Sequence, residues 1–215
     1  MIRIKICCIS SITEARTAIA FGADAIGLVG RMPSGQGVIT DELICSIAKT
    51  VPPPVATFLL TSETSSGAIA AHHRKVNTST IQMVDELKQG SFPEIREKLP
   101  NVKLVQVIHV LDERSIAEAI EISEKVDALL LDSGNPYLAV KELGGTGRTH
   151  DWAISRKIVE QSRVPVFLAG GLNADNVRDA IAAVQPFGVD VCSGVRTDGK
   201  LDERKLYGFF KAVWG

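Results

Sequence analysis

Apolar positions along the chain follow two rhythms that take turns. Short β-rich runs lie near residues 2–8, 24–29, 54–60, 79–83, 103–109, 126–132, 164–169 and 187–193. Between them, near 12–21, 41–50, 65–75, 91–99, 112–123, 152–162, 174–184 and 202–213, apolar residues recur at helical spacing. The first rhythm predicts strands and the second amphipathic helices. In the seventh helical stretch Val177, Ile181 and Val184 share a face, and Asn173 is placed to cap the first turn. Strands alternating with helices imply a parallel sheet. Eight of each in 215 residues favour a closed (β/α)8 TIM barrel over a doubly wound sheet. No low-complexity segment or linker interrupts the pattern, so residues 1–215 read as a single domain. The longest connection runs from Ser133 to Asp151 and contains Gly144-Gly145-Thr146-Gly147, which reads as a mobile active-site loop.

In such a barrel, chemistry sits at the C-terminal ends of the strands. Alternation along the first strand puts Arg3, Lys5 and Cys7 on one face and Ile2, Ile4, Ile6 and Cys8 on the other. The wholly apolar face should meet the helices, so Cys7 should face the barrel mouth. Lys5 lies one rung below, roughly 7 Å along the strand, and an ammonium there favours a thiolate. The structural alternative for Cys7 is a small buried hydrophobe. Asp132 closes the sixth strand, where partial desolvation suits a general acid. The alternative there is a loop cap before Ser133-Gly134. Gly170-Gly171 and Ser193-Gly194 follow the seventh and eighth strands, where barrel enzymes often bind phosphate through backbone N–H groups. Tight turns are the alternative.

Other residues point less far. His72-His73 reads as a solvated helix face, and His109 as a structural histidine at a strand end. Asp24 and Asp190 read as strand starts on the stability face, and Trp152 as packing for its helix. The net charge of −1 gives no basic surface for nucleic acid or an anionic membrane. No apolar run approaches the ~18 residues of a membrane span, and Arg3 and Lys5 break any signal-peptide pattern. Cys7, Cys8, Cys45 and Cys192 are scattered, with no CxxC, which fits a reduced, cytoplasmic protein. Nothing indicates a metal or a cofactor.

These pieces, in order, resemble the phosphoribosylanthranilate isomerase family from end to end. They are Lys5-Ile6-Cys7, Gly22-Ala23-Asp24-Ala25-Ile26-Gly27, Leu131-Asp132, Gly144-Gly145-Thr146-Gly147, Asp151-Trp152, Gly170-Gly171-Leu172-Asn173 and Ser193-Gly194-Val195. The resemblance implies a (β/α)8 barrel that needs no cofactor and works on a small phosphoribosyl substrate, as a monomer or homodimer. It implies an Amadori rearrangement in tryptophan biosynthesis, with Cys7 as base, Asp132 as acid, and Gly170, Gly171, Ser193 and Gly194 at the 5-phosphate. The chain departs from the family pattern at several places. The arginine that pairs with the anthranilate carboxylate is replaced by Gln36 or Gly37. A His-Gly pair after the fourth strand is replaced by Val84-Asp85. The acid after Ser-Gly-Val is Arg196, and the glycine after Ile-Cys is Cys8. Lys5, Arg31, Gln36, Asp85 and Arg196, with Arg148, are therefore the candidates to meet the rest of the substrate. The alternatives are a paralogue acting on another phosphoribosyl amine and a non-catalytic sugar-phosphate-binding barrel.

Overall fold

The computed structural model describes the chain apart from Ser34, Pro136, Ala139, Val140, Gly144, Gly145, Thr146 and Arg148. Eight parallel strands close into a barrel in sequence order: β1 (Arg3–Ile6), β2 (Ala25–Val29), β3 (Ala56–Thr61), β4 (Thr80–Met83), β5 (Lys103–His109), β6 (Ala128–Asp132), β7 (Val166–Leu168) and β8 (Gly188–Val191). Between and after them run α1 (Ile12–Ala20), α2 (Asp41–Ala48), α3 (Ser66–Val76), α4 (Phe92–Lys98), α5 (Arg114–Ser123), α6 (Trp152–Gln161), α7 (Val177–Val184) and α8 (Glu203–Trp214). One 3-10 turn, Ser193–Val195, follows β8, and a small hairpin of β9 (Arg196–Thr197) and β10 (Lys200–Leu201) precedes α8. The fold is the (β/α)8 barrel that the alternation implies.

Local chemistry sets the helix starts. Ser11, Thr40, Ser65 and Ser91 each accept a hydrogen bond from the backbone N–H three residues on, and Asp151 and Asp202 cap α6 and α8. Such caps satisfy donors that a helix start leaves orphaned. At α7 the expectation is off by three residues. Asn173 Oδ1 accepts from the N–H groups of Asp175 and Asn176, forming a turn of its own, and the helix begins only at Val177.

Strand alternation divides the core into two layers. Outward residues such as Ile4, Ile6, Leu129, Leu131, Val189 and Val191 pack under the helices. Inward residues such as Cys7, Val29, Phe58, Leu60, Leu130 and Phe167 fill the barrel. Asp24 works at the opposite rim from the mouth, pairing with Arg3 at 2.9 Å and accepting from the Ile4 N–H. His72 and His73 are buried, which corrects the solvated-face expectation. His72 bridges Thr61 and Asp41, and His73 Nε2 donates to Thr78 O at 2.7 Å. His72 ties α3 to α2 and β3, and His73 ties it to the loop before β4, roles the helical period does not reveal.

Candidate active site

A cavity opens at the C-terminal ends of the strands. Cys7, from the end of β1, and Asp132, from the end of β6, both line it. In the closed strand order β1 and β6 are three steps apart, so thiol and carboxyl come from different sides of the mouth. Asp132 is buried, and burial pushes its carboxyl up, opposed by the Ser133 N–H that donates to Oδ1 at 2.8 Å and by His109. His109 is tied through Nε2 to Val84 O at 3.1 Å.

Beneath Cys7 the barrel interior holds a buried ion pair. Lys5 Nζ lies 2.9 Å from Asp190 Oδ1 and 5.2 Å from the centre of the Phe58 ring. The two residues are direct neighbours in the β1–β8 register. Burial alone would lower the Lys5 ammonium, but Asp190 and the nearby Cys7 outweigh it and hold it above its ordinary value. Burial pushes the Asp190 carboxyl up against the pull of Lys5. Asp190 lines the cavity and does not belong to the stability face. The signal was present in the strand itself: Val189 and Val191 face the helices, so Asp190 must face inward. Room for this cluster comes from Gly27 on β2. A Cβ there would lie 2.7 Å from Cys7 Sγ and 3.1 Å from Lys5 Nζ.

On the β7–β8 side Gly170, Gly171 and Ser193 line the cavity. Gly170 and Gly171 have φ of 84° and 63°, left-handed values that glycine adopts without strain. Gly194 does not line it. Its missing side chain lets the two loops touch, since a Cβ would lie 2.0 Å from Leu172 O.

Of the remaining candidates among the described residues, only Gln36 lines the cavity. Lys5 is sealed beneath the floor, and Arg31 is exposed outside the lining. Asp85 is ion-paired with Lys141 in a separate cavity that also holds His109 and Glu118. Arg196 does not point into the mouth. It is buried against Glu14 at 3.1 Å and donates to Cys8 O at 2.5 Å and Cys7 O at 3.2 Å, so it fastens the backbone after β1. Arg148 and the Gly144-Gly145-Thr146 segment lie outside the described residues. Gln82, which the strand pattern alone does not single out, is an inward residue of β4 that lines the cavity, and its buried Oε1 has no hydrogen-bond partner among the described residues. Strand alternation misplaces Cys8. With φ of 61°, Cys8 leaves the strand alternation and packs with Cys7 inside the barrel. That left-handed value explains why a glycine suits the position.

A thiol and a carboxyl across one cavity, beside glycine-rich loops at β7 and β8, are the groups that proton transfer on a phosphorylated small molecule would call for in a barrel of this class. The family model for N-(5'-phosphoribosyl)anthranilate isomerase matches residues 4–212. The chain is 36% identical to N-(5'-phosphoribosyl)anthranilate isomerase 2 of Methanosarcina mazei, over 96% of this chain and 92% of that one. It is 34% identical to the enzyme of Methanocella arvoryzae, over 96% and 94%. The solved Thermotoga maritima phosphoribosylanthranilate isomerase superposes with a TM-score of 0.81 at 30% identity, covering 99% of this chain and 98% of that one. A phosphoribosylanthranilate isomerase in complex with reduced 1-(o-carboxyphenylamino)-1-deoxyribulose 5-phosphate gives a TM-score of 0.78 at 28% identity, covering 99% and 98%. The chain belongs to the phosphoribosylanthranilate isomerase family.

Proposed function

We propose that this barrel rearranges N-(5-phosphoribosyl)anthranilate to 1-(2-carboxyphenylamino)-1-deoxyribulose 5-phosphate, with Cys7 and Asp132 as its proton-transfer pair. The observation that carries the roles is that both residues line one cavity from β1 and β6. Asp132, its carboxyl pushed up by burial, protonates the furanose ring oxygen, and the ring opens to an iminium cation. Cys7, as thiolate, removes the C2 proton to give an enolamine, which tautomerises to the aminoketose. A 1,2-hydrogen shift of this kind needs an acid and a base at different points of the sugar. The backbone N–H groups of Gly170, Gly171 and Ser193 hold the 5-phosphate, with Gly194 keeping the two loops together. Gln82 offers to a sugar hydroxyl an amide oxygen that is unpaired among the described residues. The reading places the enzyme in the cytoplasm, in tryptophan biosynthesis.

A second reading, another amine on the ribose, is favoured by one observation. The family pattern has the carboxylate-pairing arginine at Gln36 or Gly37, and of the two Gln36 lines the cavity. An amide meets a carboxylate with a single weaker hydrogen bond where an arginine fork makes two. The fluorescence decay of phosphoribosylanthranilate, generated in situ, separates the readings. Decay with wild-type protein and none with Cys7→Ala is the expected result. No decay with a wild-type protein that still binds a ribose-phosphate analogue would move the substrate to a different amine.

A further inference from the structure

Three of the four cysteines meet at the seam between β1 and β8, and the proposed reaction uses only Cys7. The register pairs Ile6 with Val191, and the Cys7 N–H continues it by donating to Val191 O at 2.8 Å. Cys7 and Cys192 are therefore neighbours across the seam. Cys8, turned by its left-handed backbone, lies with Cys7 in the barrel interior, and Cys192 packs against the same cluster. The Cys8 thiol is within hydrogen-bonding reach of both Cys192 and Cys7. All three thiols line the cavity, and Cys192 is the partly exposed one. Among the described residues no trio of Cys, His, Asp or Glu is spaced to ligate a metal.

We propose that Cys8 and Cys192 form a reversible, peroxide-driven disulfide across the β1–β8 seam that shuts down the cavity. The Cys192 sulfur attacks a peroxide oxygen. The O–O bond breaks, Cys192 becomes a sulfenic acid, and hydroxide leaves. The Cys8 sulfur then attacks the Cys192 sulfur and expels a second hydroxide, and the two thiol protons convert both hydroxides to water. Two thiols and one hydrogen peroxide thus yield one disulfide and two waters, with two electrons passing from sulfur to peroxide. A dithiol reverses it by exchange. The order of attack follows the environments. The hydrogen bond from Cys8, and then Arg196, pull the Cys192 thiol below its ordinary value against burial. Hydrogen bonds with Cys192 and Cys7, together with burial, hold the Cys8 thiol above it. The bond would tie the segment after Cys7 to the one that leads into Ser193. Its effect on turnover rests on the proposed roles of those residues, whereas its formation does not.

The test exposes wild-type protein to hydrogen peroxide and reads mass and turnover separately. Fragment mapping without reductant should show Cys8 linked to Cys192, with a loss of about 2 Da from the intact mass. Turnover should fall by at least ~10-fold and return with dithiothreitol. The Cys8→Gly variant keeps an unstrained backbone at φ 61°. It should lose no mass and keep its turnover through the same exposure. The proposal is overturned by an absent link, by a link through Cys7, or by Cys8→Gly losing turnover as fast as wild type. If wild type shows no turnover to begin with, the proposed function has failed, and the mass map still decides the disulfide.

Discussion

Lys5 and Asp190 form an ion pair at 2.9 Å inside the barrel, with the lysine fully buried. Stripping water from an ammonium and a carboxylate costs several kcal/mol each, and their attraction offsets that only while both are present. Lys5→Met should therefore cost about 3–5 kcal/mol, because it strands a buried carboxylate. Lys5→Met combined with Asp190→Asn should recover most of the loss. Denaturant unfolding of the two singles and the double gives the coupling. A double mutant as unstable as the sum of the singles would show that the two charges do not depend on each other.

Cys7→Ala and Asp132→Asn should each lower turnover at least ~100-fold while leaving the circular dichroism spectrum unchanged. The acid must carry its proton to act, and burial pushes the Asp132 carboxyl up. In wild type kcat/KM should fall as pH rises through that raised value. Asp132→Asn should show no such alkaline limb. Near-normal turnover in both variants refutes the assigned roles.

Gly27 has no role in the chemistry, yet the site depends on its lacking a side chain. Gly27→Ala would press a methyl to within 2.7 Å of Cys7 Sγ and 3.1 Å of Lys5 Nζ. Neither neighbour is free to retreat, since both are buried and Lys5 is held by Asp190. The expected result is a stability loss of about 1–3 kcal/mol from overpacking. A fall in kcat should accompany it, because the thiol is displaced. Unchanged kinetics in Gly27→Ala would mean that the position of Cys7 tolerates movement.

The barrel was legible because strand and helix periods differ and because strands buried under helices leave strong apolar runs. That Cys7 and Asp132 reach one cavity was legible because strand ends in a barrel face one mouth. What stayed hidden arose where the chain stops being regular or where two distant elements meet. Alternation put Cys8 under the helices, but one left-handed residue returned it to the interior. Arg196 looked like a cation for the substrate, but Glu14, far away in sequence, turns it into a clamp on Cys7 and Cys8. Asp190 opens an apolar run, which suggests the stability face, but its parity with Val189 and Val191 sets it inward.

Gln36, one of the two positions with Gly37 where the family pattern has an arginine, lines the cavity. Gln36→Arg should restore a charge-assisted fork to the anthranilate carboxylate and lower KM for phosphoribosylanthranilate by roughly 10-fold. The carboxylate takes no part in the proton transfers, so kcat should stay nearly constant, the mark of uniform binding. Steady-state kinetics of wild type and Gln36→Arg checks this. A raised KM would mean that the aglycone of the natural substrate is not a carboxylate.

His150 packs beside Gly170, which has room for it only because a Cβ there would lie 3.0 Å from the ring Nδ1. Its Nε2 is 2.7 Å from Ser155 Oγ. Burial lowers the imidazole from 6.5 to about 4, against the pull of Asp151. The folded protein therefore takes up this proton less readily than the unfolded chain. Stability from this group is fully present above pH 6.5 and is lost as pH falls toward 4, because the unfolded state protonates first. The whole span corresponds to at most about 3 kcal/mol, reduced by the water that reaches the ring. His150→Gln cannot titrate. In urea unfolding at pH 7.5, 5.5 and 4.5 its stability should fall less than that of wild type, with the gap opening between 6.5 and 4. Parallel curves for the two proteins would show that the folded chain accommodates the protonated ring.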